Sequence, residues 1–167
     1  MKSLVIYATR SGNTRRVAEA VAAELSRRGE AAVVPVQEAS TSLATALDLI
    51  VVGGPTEGHA ATPDIAAFFD RLAAGVLSGC RAAAFDTRVN WPRWLSGSAA
   101  SGIGDRLRRA GARLVVPPES FIVSRAPALE PGELERAAGW ARALAEAVEP
   151  ELRIVRPEST AEVAEVR

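Results

Sequence analysis

Apolar residues along this chain follow two periods, one typical of strands and one typical of helices. Short apolar runs bounded by glycine, proline or polar residues indicate buried parallel strands. Pro117 and Pro118 cannot donate within a ladder, so the last strand is expected to resume after them, at residues 120–123. The predicted strands cover residues 3–8, 31–36, 47–54, 80–86 and 113–116.

Apolar residues spaced three and four apart predict helices between most of these strands. The first helix runs from about Asn13 to the basic residues before Gly29, and the second starts at Pro63 with Thr62 as its N-cap. The two later helices are expected from Ser101 or Gly102 to Gly111 and from Gly132 to Val148, with Pro150 closing the last.

Strands that alternate with helices through short connections predict an α/β fold, in which an open parallel sheet carries helices on both faces. The length of 167 residues fits one domain. We expect this domain to span residues 1–150 and a C-terminal extension to span residues 151–167. The extension could add a short strand at residues 152–155, and its end, Ser159 to Arg167, is expected to be mobile.

Composition narrows the class of protein. Twenty Lys and Arg balance twenty Asp and Glu, which argues against general nucleic-acid binding. No apolar run is long enough for a membrane span, and the first residues lack a signal-peptide pattern. The single cysteine, Cys80, excludes an internal disulfide and suits a cytoplasmic protein, and one histidine leaves no cluster for a metal. Cys80 itself is expected to be a small core residue.

Three loops of unusual composition are expected at one edge of the sheet. In open α/β sheets, ligands bind beyond the carboxyl ends of the strands, where strand order reverses. The loops that leave these ends meet only if strands one, three and four are neighbours, and we therefore expect one site built from all three. They are residues 8–14 (ATRSGNT), 53–63 (GGPTEGHAATP) and 86–98 (DTRVNWPRWLSGS).

The first loop has the composition of an anion site. A helix that starts near Asn13 presents unpaired backbone N–H groups and the positive end of its dipole. Gly12 lets the backbone approach a ligand, and the hydroxyls of Thr9, Ser11 and Thr14 can donate to a phosphate. An ordinary N-cap with spare hydroxyls is the alternative. Neither a Walker A loop nor Gly-x-Gly-x-x-Gly is present.

These loops resemble those of a known family. TRSGNT is similar to the Thr/Ser-x-Thr/Ser-Gly-x-Thr phosphate loop of the flavodoxin family, and GGPTEGHAATP to its Gly-Ser/Gly-Pro-Thr loop. The resemblance covers about residues 3–148 and implies a five-stranded parallel sheet of order 2-1-3-4-5. It also implies FMN at the switch point between strands one and three. The residues that it assigns to the phosphate are Thr9, Arg10, Ser11, Gly12, Asn13 and Thr14.

The resemblance further implies that the second loop lies near the N5 edge of the flavin ring. The Glu57–Gly58 or Gly58–His59 peptide would contact N5, and glycine tolerates the backbone change that this requires. His59 would donate to the ring or to a substrate carbonyl, with a solvated loop histidine as the alternative. The cofactor-binding residues implied here are Pro55, Thr56, Glu57, Gly58 and His59.

The loop after strand four occupies the family's second ring-flanking position. Trp91 or Trp94 would stack on the ring, with Trp91 preferred because it is nearer the strand, unless both pack against the neighbouring helix. Arg88 and Arg93 would balance the charge of a phosphate or of reduced flavin, or are ordinary surface arginines. Asp86 would accept from loop N–H groups or from a ribityl hydroxyl. The cofactor-binding residues predicted in this segment are Asp86, Thr87, Arg88 and Trp91.

Three functions are consistent with these patterns. The first is an FMN-binding redox protein that transfers electrons between protein or small-molecule partners, in which the cofactor supplies the chemistry. The second is an oxidoreductase of the same fold, of the quinone-reductase or protoporphyrinogen-oxidase type. Zero net charge favours it, because electron carriers of the family are usually acidic. The third is a module without flavin, since the second loop has no aromatic residue.

Overall fold

A computed structural model describes residues 1–40, 47–57, 60–91, 97–124 and 128–155, with side chains described as far as residue 150. The described strands are β1 (Lys2–Tyr7), β2 (Glu30–Pro35), β3 (Leu49–Pro55), β4 (Arg81–Val89), β5 (Arg113–Leu114) and β6 (Glu119–Val123). The described α-helices are α1 (Asn13–Leu25), α2 (Pro63–Asp70), α3 (Ala99–Arg109) and α4 (Glu133–Val155), with a 3₁₀ turn at Ser26–Arg28.

All strand pairs in the sheet are parallel, in the order β2-β1-β3-β4-β5. Strand β6 pairs with β4 on the same edge as β5, because the other edge of β4 is occupied by β3. The two segments therefore form one outer strand, interrupted at Pro117 and Pro118. The predicted α/β class, the strand order 2-1-3-4-5 and the interrupted fifth strand are confirmed.

Two apolar cores lie on opposite faces of the sheet. Successive side chains of a strand point to opposite faces, so Ala83 and Phe85 of β4 pack towards α1 and α4. Ala82 and Ala84 pack towards α2 and α3. Gly53 of β3 lies opposite Phe85, and a Cβ there would overlap the Phe85 ring, so this position requires glycine.

Two predicted boundaries near the site are wrong. Strand β4 continues to Val89 rather than ending at Asp86, because its last residues pair with β6 up to Val89 opposite Val123. Helix α3 begins at Ala99 rather than at Ser101 or Gly102, because Ser98 is its N-cap and its side chain accepts from the Ser101 N–H.

The end of the chain also differs from the prediction. Helix α4 continues through Pro150 to Val155, so Pro150 does not close it and no strand forms at residues 152–155. A proline removes one ladder hydrogen bond, but neighbouring contacts can outweigh that loss. Val148 is fully buried, and Glu149 pairs with Arg28 at 3.2 Å. The predicted mobile end, Ser159 to Arg167, lies outside the described residues. No helix in the described part is long and apolar enough to span a membrane.

Candidate functional site

Three segments meet at the carboxyl edge of the sheet, and each pair of them is joined by side chains. Arg10, after β1, places its Nε 2.8 Å from Oε1 of Glu57, which follows β3. The Oγ1 atoms of Thr14 and Thr87 lie 2.8 Å apart and join α1 to β4. Thr56 donates to Oδ2 of Asp86 at 2.9 Å and joins the end of β3 to β4. The expected convergence of the three segments is present.

The N-terminus of α1 is open. Its N-cap is Gly12, which has a left-handed φ of 85° and no side chain with which to cap the first N–H groups. The first turn of α1 contains no acidic residue. Among the described helices, α1 alone lacks both a capping side chain and a first-turn carboxylate. The positive end of its dipole is therefore available to an external anion.

Hydroxyl groups surround this helix end. Thr9 Oγ1 accepts from the Gly12 N–H at 3.0 Å and so holds the loop in a tight turn. Ser11 is exposed and accepts from the amide of buried Asn13 at 3.2 Å. Thr14 is buried beneath the loop and paired with Thr87. The residues predicted for the phosphate thus form one loop around the end of α1, with the Arg10 side chain outside it.

The N-terminus of α3, by contrast, is occupied by groups of the protein itself. Asp86 is fully buried, and its Oδ2 accepts from Thr56 Oγ1 at 2.9 Å, from Ser98 Oγ at 2.9 Å and from the Ala100 N–H at 3.0 Å. Thr56 Oγ1 also accepts from the Ala99 N–H at 2.9 Å. An internal carboxylate therefore takes the place that an anionic ligand would have at this helix.

Ser98 is a functional neighbour that sequence reasoning missed. Its signal was present, because a serine before an alanine-rich helical run is a common N-cap. Asp86 Oδ1 has no hydrogen-bond partner among the described residues, although the carboxylate is fully buried. That oxygen is a buried acceptor next to the three bonds that Oδ2 accepts.

After β3, Glu57 and Ala60 form an antiparallel bridge. The N–H of Glu57 donates to the carbonyl of Ala60 at 3.0 Å, and the N–H of Ala60 donates back to Glu57 at 3.0 Å. Pro55 is the last residue of β3, and the Thr56 N–H donates to the Thr87 carbonyl at 3.0 Å. Two predicted ring neighbours, Gly58 and His59, lie outside the described residues.

The segment after β4 presents an exposed indole. Trp91 is 46% exposed and follows β4 by two residues. Arg88 belongs to β4, and its Nη1 donates to the carbonyls of Trp91 at 2.7 Å and Val89 at 3.4 Å. Arg88 therefore fixes the backbone that carries Trp91. Trp94 and Arg93 lie outside the described residues.

Comparison with known families agrees with this arrangement. The family model for flavodoxin matches residues 5–119, which is more than half of the chain. The chain belongs to the flavodoxin family. Proteins of this family bind flavin, typically FMN. A search of curated proteins found no match.

Solved structures, two flavodoxins among them, share the fold at low sequence identity. Oxidised flavodoxin 2 from Bacillus cereus is 23% identical, with a TM-score of 0.73 over 87% of this chain and 99% of that chain. Two-electron reduced flavodoxin from Megasphaera elsdenii is 18% identical, with a TM-score of 0.64 over 84% of this chain and 98% of that chain. Rubredoxin oxygen:oxidoreductase from Desulfovibrio gigas is 16% identical, with a TM-score of 0.71 over 90% of this chain and 37% of that chain. Identities this low show the fold alone.

The described residues of this flavodoxin-family site fit the phosphate of FMN. An uncapped helix end, a glycine that brings the backbone close and neighbouring hydroxyls form a neutral donor set for an anion. The exposed Trp91 indole, two residues after β4, is an aromatic surface of the kind on which flavin rings stack.

Proposed function

We propose that this protein binds FMN without a covalent bond and transfers electrons between protein or small-molecule partners. The observation that carries the proposal is the open N-terminus of α1, which has a glycine N-cap and no first-turn carboxylate. An anion is favoured there by the free N–H groups and by the helix dipole. Family membership supports flavin as the molecule that bears the anion.

Each described residue of the site has a defined part in this proposal. The hydroxyls of Thr9, Ser11 and Thr14 and the N–H groups after Gly12 would hold the phosphate, and Trp91 would cover one face of the ring. Asp86 would hold the start of α3 at the edge of the site. When bound, FMN supplies the redox chemistry, and the protein supplies anchoring, exclusion of water and the local electrostatic field.

The first test is direct. The purified protein should show flavin absorption bands at roughly 370 and 450 nm, either as isolated or after addition of FMN (the wavelengths follow from the cofactor). Protein that stays colourless with added FMN would instead support a flavodoxin-like module without flavin.

The second test separates the phosphate from the ring. Combining Ser11→Ala with Thr14→Ala should weaken FMN binding on the order of 100-fold, because two donors to a charged group are lost. Riboflavin lacks the phosphate and should bind the double variant and the wild type alike in a fluorescence titration. Ser26→Ala, at the far end of α1, is the matched control. Equal losses for both ligands would refute the phosphate assignment.

A second candidate function is a flavodoxin-fold oxidoreductase that acts on a quinone-like small molecule. The balanced charge favours it, since a carrier that docks through its net charge needs an excess of one sign. Steady NAD(P)H turnover with a quinone would select this candidate, whereas reversible reduction without turnover would select the carrier. For either function we propose the cytoplasm, because the single cysteine suits a reducing compartment.

A further inference from the structure

A buried pair of hydroxyls lies directly beneath the open end of α1. Thr14 and Thr87 are 1% and 4% exposed, and their Oγ1 atoms are 2.8 Å apart. Neither side chain has another hydrogen-bond partner among the described residues. The pair contains two hydroxyl protons, and the bond between them uses one, so one proton remains free.

The direction of this bond decides what Thr14 can offer to a ligand. If Thr14 donates, its proton points at Thr87, and its oxygen presents only lone pairs, which an anion repels. If Thr87 donates, the Thr14 proton is free to donate elsewhere. A phosphate at the end of α1 favours the second arrangement, because hydrogen bonds to charged acceptors are the stronger ones.

Thr87 is well placed to hold that arrangement. It lies in β4, between β3 and β6, opposite Pro55 on one side and Phe121 on the other. Its carbonyl accepts from the Thr56 N–H at 3.0 Å. The sheet therefore fixes the backbone of Thr87 on both sides, whereas Thr14 belongs to the first turn of a helix next to a loop.

We propose that Thr87 is a positioning residue: it donates its hydroxyl proton to Thr14 and so directs the Thr14 proton to the phosphate of FMN. The inference rests on the proposed function, since it takes FMN as the ligand. It adds a residue 73 positions from the phosphate loop that raises the affinity for the phosphate without contacting it.

The test replaces the hydroxyl by a methyl group of nearly the same size. Thr87→Val should weaken FMN binding about fivefold, because the Thr14 hydroxyl loses the donor that fixes its direction and polarises its bond to the phosphate. Riboflavin affinity should stay within about twofold of the wild type, because the altered contact concerns the phosphate alone. Thr87→Ser keeps the hydroxyl and should restore FMN binding. Both ligands are titrated by fluorescence against the full chain.

A double-mutant cycle tests the coupling. After Thr14→Val has removed the donor, adding Thr87→Val should change FMN affinity by less than about twofold, since the two residues act through one hydrogen bond. Additive losses would overturn the proposal. Ser3→Ala is the control, because it removes an equally buried hydroxyl at the opposite edge of the sheet and should leave FMN binding unchanged.

The outcomes separate this inference from the proposed function. Suppose that the wild type prefers FMN to riboflavin and that Thr87→Val weakens the binding of both ligands equally. This result would overturn the positioning role and leave the proposed function standing. If the wild type binds FMN and riboflavin equally, the phosphate assignment is refuted, and the proposed role of Thr87 is refuted with it. Selective loss of FMN in Thr87→Val, with rescue by Thr87→Ser, supports the proposal.

Discussion

The Arg10–Glu57 pair is the residue contact at the site with the most direct electrostatic consequence. Glu57 lies on the segment predicted to flank the flavin ring, and its carboxylate is 2.8 Å from the Arg10 guanidinium. The pair is largely exposed, so its own contribution to stability is small. Its effect on a nearby redox group depends on which of the two charges remains.

Glu57→Gln is expected to raise the potential of the second electron taken up by bound FMN. A carboxylate disfavours added negative charge beside it, and a partly screened charge changes a one-electron potential by roughly 20–40 mV. Arg10→Gln should shift the potential in the opposite direction. The measurement is a potentiometric titration of the FMN complex.

Glu19→Gln is the matched control for this prediction. It removes one partner of another exposed pair, in which Arg15 Nε lies 2.7 Å from Oε1 of Glu19 on α1. An unchanged potential in Glu57→Gln would place Glu57 away from the ring.

Cys80 behaves as a core residue at the start of β4. It is buried, its Sγ donates to the Arg81 carbonyl at 3.3 Å, and burial raises the pKa of its thiol from 9.0 to about 11. A thiol that remains protonated at neutral pH is a poor nucleophile. The prediction that Cys80 is a small core residue is confirmed.

The raised pKa of Cys80 predicts slow alkylation and loss of stability at high pH. At pH 8 the native thiolate fraction should be about 100-fold below that of the unfolded chain, and iodoacetamide should react correspondingly slowly. Because the folded-state pKa lies above the unfolded value, stability present below pH 9 is lost as the pH rises towards 11. Urea unfolding at pH 8 and 10.5 measures the loss. Cys80→Ala should remove this part of the pH dependence, and an unaltered dependence would contradict the assignment.

At the scale of elements, the end of β4 holds two helices in place. Thr87 contacts α1 on one face of the sheet, and Asp86 accepts from the first turn of α3 on the other. Asp86 and Thr87 are consecutive residues of β4, so their side chains point to opposite faces of the sheet. The end of β4 thus sets the positions of the helix that is open to an anion and of the helix that is not.

Asp86→Ala is expected to lower the free energy of unfolding by about 2–4 kcal/mol. Three donors lose their acceptor: the Ala100 N–H is buried, and the Thr56 and Ser98 hydroxyls are half-buried. An unsatisfied buried donor costs on the order of 1–3 kcal/mol. Asp86→Asn keeps one acceptor oxygen and should cost less. Urea unfolding gives the free energy, and hydrogen exchange of the Ala99 and Ala100 amides reports on the start of α3.

Asp105→Ala is the control on the same helix, because Asp105 forms an exposed pair with Arg108 at 2.8 Å. Exposed pairs contribute little, so its unfolding curve should match that of the wild type. Normal exchange protection of the first turn of α3 in Asp86→Ala would show that Asp86 does not anchor the helix.

At the scale of the whole molecule, the parallel sheet is what assembles the site. Parallel strands place the carboxyl ends of β1, β3 and β4 at one edge, and the order β2-β1-β3-β4-β5 makes the three neighbours. Segments from three parts of the chain then lie within hydrogen-bond distance of one another. The balanced charge of the chain gives no strong net field.

The local elements were predictable because they depend on neighbours in the sequence. Apolar periodicity located the strands, and the glycine and hydroxyl residues of ATRSGNT located the start of α1. The boundaries that were wrong depend on distant partners instead. Strand β4 reaches Val89 because β6 pairs with it, and α3 starts at Ala99 because Thr56 and Asp86 accept its first N–H groups.

The sequence by itself determined the alternation of strands and helices and the start of α1 beside Gly12 and its hydroxyl residues. Both follow from side-chain size, backbone freedom and hydrogen-bonding groups within a few residues. Only the tertiary structure decided that Thr14 meets Thr87. It also decided that the Asp86 carboxylate, and not an external anion, accepts from the first turn of α3. A hydroxyl or carboxylate can bond to many groups, and the packing of the sheet selects which one lies within 3 Å.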